Sequence, residues 1–342
     1  MTKIRNKLFV VFLCLSVSLA CTFSGLADLI AGGEAADLGK NPPVYVTIAL
    51  HIEDVPVYAN CRSYPDFRQR LLQFAQAIAP YEAAINLQVE YEFLMGINNC
   101  DVPALQNETQ GQNVLDYLAS RYGYEIDAHQ EGGWDIEGRD NYADIRFLAG
   151  QNTGAISETM GGLVWDDPDQ WERLAAGEQA QLYPDFIWHP QVLTLAVSST
   201  HHRGDFSNDD TVSGVWRPAG AGNDFWQHDP QGSIIYIAPG LHDNWGSERQ
   251  QPSTYEFVLD VHDRLADGRL DQDEIYTASV AVPQSIIFNT EEFQKMFDCL
   301  EQLSPLVSSG EIVYANYSRV AQIWQAQYAS RPSIYRPDSM GE

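Results

Sequence analysis

Two short runs of ionisable residues carry the side-chain types that do chemistry. His51-Ile52-Glu53-Asp54 closes the β-branched, apolar run Val44–His51, VYVTIALH. In a strand, alternation sets His51 and Glu53 on one face, with Asp54 at the mouth beyond them. The second run is Glu125-Ile126-Asp127-Ala128-His129-Gln130-Glu131. Period two places Glu125, Asp127, His129 and Glu131 on one face. Carboxylates and an imidazole gathered in this way suit a divalent metal or a proton-transfer site. Gly132-Gly133-Trp134 follows. The glycines let backbone approach a ligand, and Trp134 offers a flat face on which a sugar ring stacks. A third source of ligands is Thr200-His201-His202-Arg203, just after the apolar run Val192–Ser198. Adjacent histidines on a strand point opposite ways, so one of them, His202, is expected to face a site.

These groups need elements to position them. Apolar runs of strand length recur at Val44–His51, Ala84–Phe93, Tyr124–His129, Leu163–Trp165, Val192–Ser198, Ser233–Ala238, Glu274–Val282 and Ile312–Ala315. Helical spacing recurs between them, at Phe67–Ile78, Val114–Tyr122, Tyr142–Ala149, Thr254–Leu265, Glu291–Leu303 and Ser318–Tyr328. Continued strand–helix alternation predicts an α/β fold with a parallel sheet. The length suits a single β/α barrel of seven or eight strands, distorted where the spacing is uneven. Active sites of such barrels lie at the C-terminal ends of the strands, where His51 and His129 fall. Residues 42–330 are expected to form this domain, with 331–342 a tail. Residues 199–232 form a long connection rich in Gly, Asp, Asn, Trp and His, of the kind that often carries function.

The chain has 342 residues, with 47 Asp+Glu against 20 Lys+Arg, a formal charge of −27. A surface of that sign repels phosphate backbones, so nucleic acid is excluded as a general partner. It also disfavours attachment to anionic lipid through a basic patch. Apolar residues at 44% and aromatics at 11% are enough to bury a sizeable core. Residues 1–20 read as a signal peptide: Lys3, Arg5 and Lys7 precede a short apolar stretch that ends in Ser18-Leu19-Ala20-Cys21. That ending resembles a bacterial lipobox, which makes Cys21 the lipidated first residue of an exported cell-surface or periplasmic protein, with plain secretion as the alternative. Membrane contact is then expected only through the N-terminal lipid anchor, and residues 22–41 form a flexible tether. Loss of residues 1–20 removes three positive charges and no negative one, so −27 becomes −30. In an oxidising compartment Cys61 and Cys100 are expected to form a disulfide, leaving Cys299 as a buried thiol on a helical face.

The segment Tyr122–Gly133, YGYEIDAHQEGG, resembles the second motif of the polysaccharide deacetylase (NodB-homology) family, whose strand ends in a metal-binding histidine. His51-Ile52-Glu53-Asp54 stands where that family carries its catalytic base and a metal ligand. Trp216-Arg217-Pro218 resembles its later Arg-x-Pro motif. The resemblance implies Glu53 as base, Asp54 and His129 as metal ligands, and Arg217 as the residue that orients the catalytic carboxylate. The family's second metal histidine falls here at Gly133, so His202 is the expected replacement in a divalent metal site, zinc or similar. His51, Asp127, Glu131 and Trp134 are the expected substrate contacts.

The reading is of an exported carbohydrate-active hydrolase of the β/α-barrel group, removing an acetyl group from a polysaccharide or glycan with metal assistance. The alternative is a barrel that has lost catalysis and binds glycan at the cell surface. Without a metal, Glu53, Asp54, Asp127 and Glu131 offer the carboxylate pairs that glycosidases use. Asp263–Glu274 imitates a calcium loop, but Leu265 stands at a ligand position and Gly268 reads as a helix stop.

Overall fold

The computed structural model describes residues 41–52, 60–130, 141–197, 212–240 and 254–336. Strand β1 (Val44–Ile52) leads into helix α1 (Tyr64–Ile78), β2 (Ile85–Val89) and α2 (Tyr91–Cys100). A single turn, α3 (Pro103–Gln106), precedes α4 (Val114–Tyr122), β3 (Glu125–His129), α5 (Tyr142–Asn152) and β4 (Ile156–Val164). Helix α6 (Pro168–Ala176) and the small hairpin β5–β6 (Glu178–Gln179 and Ile187–Trp188) lead to β7 (Val192–Val197). Then come β8 (Val215–Trp216), β9 (Ile235–Ile237), α7 (Thr254–Ala266) and β10 (Tyr276–Pro283). Helix α8 (Thr290–Ser309), β11 (Ile312–Tyr314) and α9 (Tyr317–Gln327) complete the described elements. Among the described residues no helix is long and apolar enough to cross a membrane.

The main sheet runs β10-β1-β2-β3-β4-β7-β9-β8 and curls into a nearly closed eight-strand barrel. Every pairing along it is parallel except β8 with β9. The α/β barrel expected from the alternation is the observed fold. Its seam lies between β10 and the β8–β9 side, and scattered hydrogen bonds close it in place of a ladder. Thr277 N–H donates to Ser213 Oγ (2.8 Å), Gly214 N–H to Thr277 Oγ1 (3.0 Å) and Ser279 N–H to Pro239 O (2.5 Å). One edge of β1 is shared: β11 pairs with Val44–Val46 and β2 with Ile48–Ile52.

Some element limits differ from the sequence pattern. The apolar run Ala84–Phe93 does not stay extended: β2 stops at Val89 and α2 begins at Tyr91. Phe93, Leu94 and Ile97 are apolar at helical spacing, and that face wins burial against the barrel. Helix α8 runs past Leu303 through Pro305 to Ser309, ending at Gly310 with φ +79°. The calcium-like loop is a helix end, with Gly268 at φ +69°. Asp271 there accepts from Arg331 Nη2 at 2.6 Å.

Outside the barrel, Ile48, Leu50, Ile52, Ile126 and Ala128 pack under α1, α2, α4 and α5. Arg68 of α1 is buried there, 1% exposed. Its Nε lies 3.2 Å from Asp101 Oδ1, and its Nη2 donates to Thr109 Oγ1 at 2.7 Å. Asp101 Oδ2 also accepts from the Tyr64 hydroxyl (3.1 Å) and Val114 N–H (2.9 Å). One carboxylate therefore ties α1 to the end of α2 and the start of α4. The expected disulfide Cys61–Cys100 staples the same junction. Among the described residues Cys299 is the free buried cysteine, and burial pushes its thiol up to about 12.

Two outcomes follow from these contacts. Asp101→Ala strands the Arg68 guanidinium in the core and is expected to cost about 3–5 kcal/mol in urea denaturation. A cost within ~0.5 kcal/mol would show that the junction does not depend on it. Because the thiolate is the reactive form, Cys299 should stay silent to Ellman's reagent at about pH 8 in the native protein. Against Cys299→Ala, the parent should show one extra reactive thiol only after denaturation.

Candidate functional site

The strands β1 to β4 deliver the site at their C-terminal ends. Since Ile52, Ile126 and Ala128 face the helices, alternation turns His51, Asp127 and His129 into the barrel. β2 lies between β1 and β3, with Gln88 in register with both His51 and Asp127. The rings of His51 and His129 meet across it, centroids 4.3 Å apart and tilted by 34°. His129 Nδ1 lies 2.9 Å from the Gly161 carbonyl oxygen of β4. A carbonyl only accepts, so this contact places a proton on Nδ1.

The Gly161 carbonyl is itself fixed. The Tyr142 hydroxyl, in the first turn of α5, donates to it at 3.2 Å and also reaches Gly162 O. Asn141 caps that helix through Asp144 N–H, and the buried Glu178 carboxylate accepts Ala143 N–H at 3.1 Å. Burial raises the Glu178 carboxyl above its ordinary range, against the pull of Arg173.

Gly161 leaves room for the Gln88 amide: a Cβ there would fall 2.1 Å from Gln88 Oε1. Gln88 is fully buried, and neither end of its amide has a hydrogen-bond partner. Such a group costs free energy unless something arrives to bond it.

Gly162 has φ +83°, and its neighbour on β7, Leu195, has φ +55°. The left-handed backbone resets the alternation of β7. Leu193 packs in the outer cluster, whereas Leu195 packs inside with Ala49 and Ile237. For a leucine this conformation costs about 1–3 kcal/mol, and such strain clusters at functional sites.

Deeper in the barrel the same face of β3 has a different job. Asn86 Nδ2 donates to Asp127 Oδ2 (2.7 Å) and to Glu125 Oε1 (2.9 Å). Asp127 also accepts from Ser157, and Glu125 from Thr159 Oγ1 (3.2 Å) and from Ser318 N–H (3.1 Å) at the start of α9. Burial first, and the Glu125 charge second, push the Asp127 carboxyl well above the usual range. Asp127 is fully buried with both oxygens engaged. The structure therefore seals this expected substrate contact into the barrel wall and the seat of α9, away from any ligand at the mouth.

Arg217 also needs correction. β8 runs antiparallel to β9, so it carries the chain back towards the N-terminal end of the barrel. Arg217 stacks over the Trp324 ring of α9 at 5.1 Å, and its N–H donates to His228 Nδ1 at 3.2 Å. It stands at the opposite end from His51 and His129 and orients nothing there. Glu53, Asp54, Glu131, Trp134, His202 and Cys21 lie outside the described residues. Among the described residues no three His, Cys, Asp or Glu side chains gather as a metal site. Sequence reasoning missed Gln88, Tyr142, the Gly161-Gly162 pair and Leu195. Two of these left a trace: polar Asn86 and Gln88 inside the short strand INLQV, and two glycines within β4.

No protein-family model matches the chain, and no curated protein matches it. Solved structures with low similarity to it include two from the following proteins. Against the 4-alpha-glucanotransferase from Thermococcus litoralis the TM-score is 0.43 at 12% identity, covering 86% of this chain and 42% of that one. Against a glycosyl hydrolase family 38 protein from Enterococcus faecalis it is 0.36 at 12% identity, covering 84% and 28%. The chain thus spans less than half the length of either.

The site predicts a local effect. A Cβ on Gly162 would press on His129 Cε1 at 3.3 Å and on the Tyr142 hydroxyl at 3.4 Å, at a backbone angle that disfavours side chains. Gly162→Ala should cost about 1–3 kcal/mol in urea denaturation. It should also shift the His129 imidazole signals in NMR, and unchanged signals would show that Gly162 does not hold the ring.

Proposed function

We propose that the protein is an exported, carbohydrate-active hydrolase whose reaction takes place at the strand ends around His51 and His129, and that a divalent metal assists removal of an acetyl group from a glycan. The observation that carries this reading is the state of His129. Its Nδ1–H donates to the Gly161 carbonyl, which fixes the ring beside that of His51. Metal-binding histidines are typically held in this manner by a carbonyl or carboxylate behind the ring.

Asp54, His129 and His202 would hold the metal. When bound, it would lower the pKa of a water and polarise the scissile carbonyl. Glu53 would take the proton from that water. The unpartnered Gln88 amide offers a donor and an acceptor to a substrate or water in the barrel mouth. Trp134 would supply the stacking face for a sugar ring. The carbohydrate assignment is supported by the resemblance of Tyr122–Gly133 to the deacetylase motif. Arg217 has no part in it. The Cys61–Cys100 disulfide supports export, because such bonds persist in oxidising compartments.

The test pairs metal content with acetate release from acetylated glycans. The parent is expected to hold a divalent metal, and His129→Ala to lose it together with about 100-fold or more of the activity. Gln88→Ala is expected to raise KM more than it lowers kcat. Metal content and acetate release both unchanged in His129→Ala would overturn the proposal. Glycan binding without any turnover in the parent would replace it with the binding-module reading.

A further inference from the structure

The mouth holds a carboxylate that belongs to neither run of ionisable residues in the sequence. β2 ends at Val89, and Glu90 keeps extended backbone (φ −107°, ψ 171°) before α2 begins at Tyr91. Ile85, Leu87 and Val89 pack outside, under the helices, while Asn86 and Gln88 point into the barrel. Alternation therefore turns Glu90 inward as well. Its height follows from the register. Val89 stands level with Ile52 of β1 and Ala128 of β3. Glu90 is one residue higher, at the level of His129, on the strand that separates the two histidines.

Two further observations locate the side chain. Glu90 occupies the N-cap position of α2, yet its side chain makes no capping hydrogen bond to that helix. A side-chain oxygen at that position ordinarily turns back to accept from the first turn. The Tyr142 hydroxyl, which donates to the Gly161 and Gly162 carbonyls, is pushed up by burial first and then by the Glu178 and Glu90 charges. Glu90 therefore lies near the group behind His129.

Glu90 also differs from the acids below it. Asp127 is fully buried with both oxygens engaged, and Glu125 accepts from Asn86, Thr159 and Ser318. Glu90 is only half-buried, so solvent reaches it at the mouth. An ionised carboxylate accepts hydrogen bonds and donates none. A sugar ring offers a row of hydroxyl donors, and the two oxygens of one carboxylate can accept from two neighbouring hydroxyls. A uronate or sulfate group brought to the same place meets like charge, on a chain whose formal charge is already −27.

We propose that Glu90 is a specificity-determining residue of the strand-end site: it accepts hydrogen bonds from adjacent hydroxyls of the sugar in the mouth, and it selects neutral glycans over those bearing uronate or sulfate. The assignment rests on the reading that glycan binds around His51 and His129. To that reading it adds the class of glycan and the residue that chooses it.

The test measures binding by titration calorimetry, and acetate release, on the full chain. Acetylated xylo-oligosaccharides serve as the neutral glycan and acetylated oligogalacturonides as the acidic one. The parent is expected to bind the neutral glycan at least about tenfold more tightly. Glu90→Ala should weaken the neutral glycan by about tenfold and raise KM more than it lowers kcat. Its melting temperature should stay near that of the parent, since no capping bond is lost. Glu90→Gln keeps the shape and one acceptor but not the charge. It should hold the neutral glycan within about threefold of the parent and gain about tenfold for the acidic one. A merely structural role for Glu90 would not produce that gain. Unchanged neutral affinity in Glu90→Ala, no gain for the acidic glycan in Glu90→Gln, or a parent that prefers the acidic glycan would each overturn the assignment. Acetate release by the parent would survive those outcomes, and with it the reading of the site. No binding of either glycan by the parent would overturn both.

Discussion

Asn86 donates from one amide nitrogen to two carboxylates, Glu125 and Asp127, inside the barrel. Glu125 in turn accepts the Ser318 N–H at the start of α9. The interior is polar well below the mouth, with Thr47, Asn86, Gln88, Thr159, Thr194 and Ser279 all buried. A polar group taken out of water must find a partner or forfeit free energy. That constraint decides how the lower barrel is filled. The first N–H groups of a helix lack partners within it and carry partial positive charge. Docking α9 against the acid cluster satisfies both sides, and Tyr317, Val320 and Trp324 then close the end of the barrel with apolar surface. Gln88 escapes this bookkeeping, and it does so in register with His51 and two residues below the level of His129.

The strained backbone at Gly162 and Leu195 belongs to the same picture. It turns Leu195 inward, so a leucine packs inside the barrel with Ala49 and Ile237. The buried support behind Tyr142, from Asn141 and Glu178, fixes the Gly161 carbonyl and through it the orientation of His129. The site is thus set by β4 and α5 as much as by the strands that carry the histidines.

The two ends of the barrel are chemically unlike. The strand ends present imidazoles and an amide. The opposite end presents Arg217 stacked over Trp324 and the start of α9. Among the described residues β8 is the one strand of the main sheet that runs against its neighbour, and it moves Arg217 from one end to the other. A residue's place in sequence order fixes its end of a β/α barrel only while every strand runs the same way.

Much of the fold was legible in the chain. Buried parallel strands are continuous β-branched runs such as VYVTIALH, and amphipathic helices repeat at their own period, so the alternation and the barrel could be read directly. So could the shared face of Glu125, Asp127 and His129, because a strand's period of two is local geometry. What period cannot state is depth along the barrel or what meets a side chain there. Asp127 and His129 share a face two residues apart, yet one is sealed beneath α9 while the other reaches the mouth. That difference comes from α9, nearly two hundred residues later in the chain. Likewise Gln88 and Gly161 leave only a faint trace in sequence and Tyr142 none, and they become a site only where three strands and a helix start converge. Sequence by itself determined the faces, the alternation and the side-chain chemistry available. Tertiary structure alone decided which of those groups meet, which are sealed, and which are left without a partner, because those are matters of non-local packing and burial.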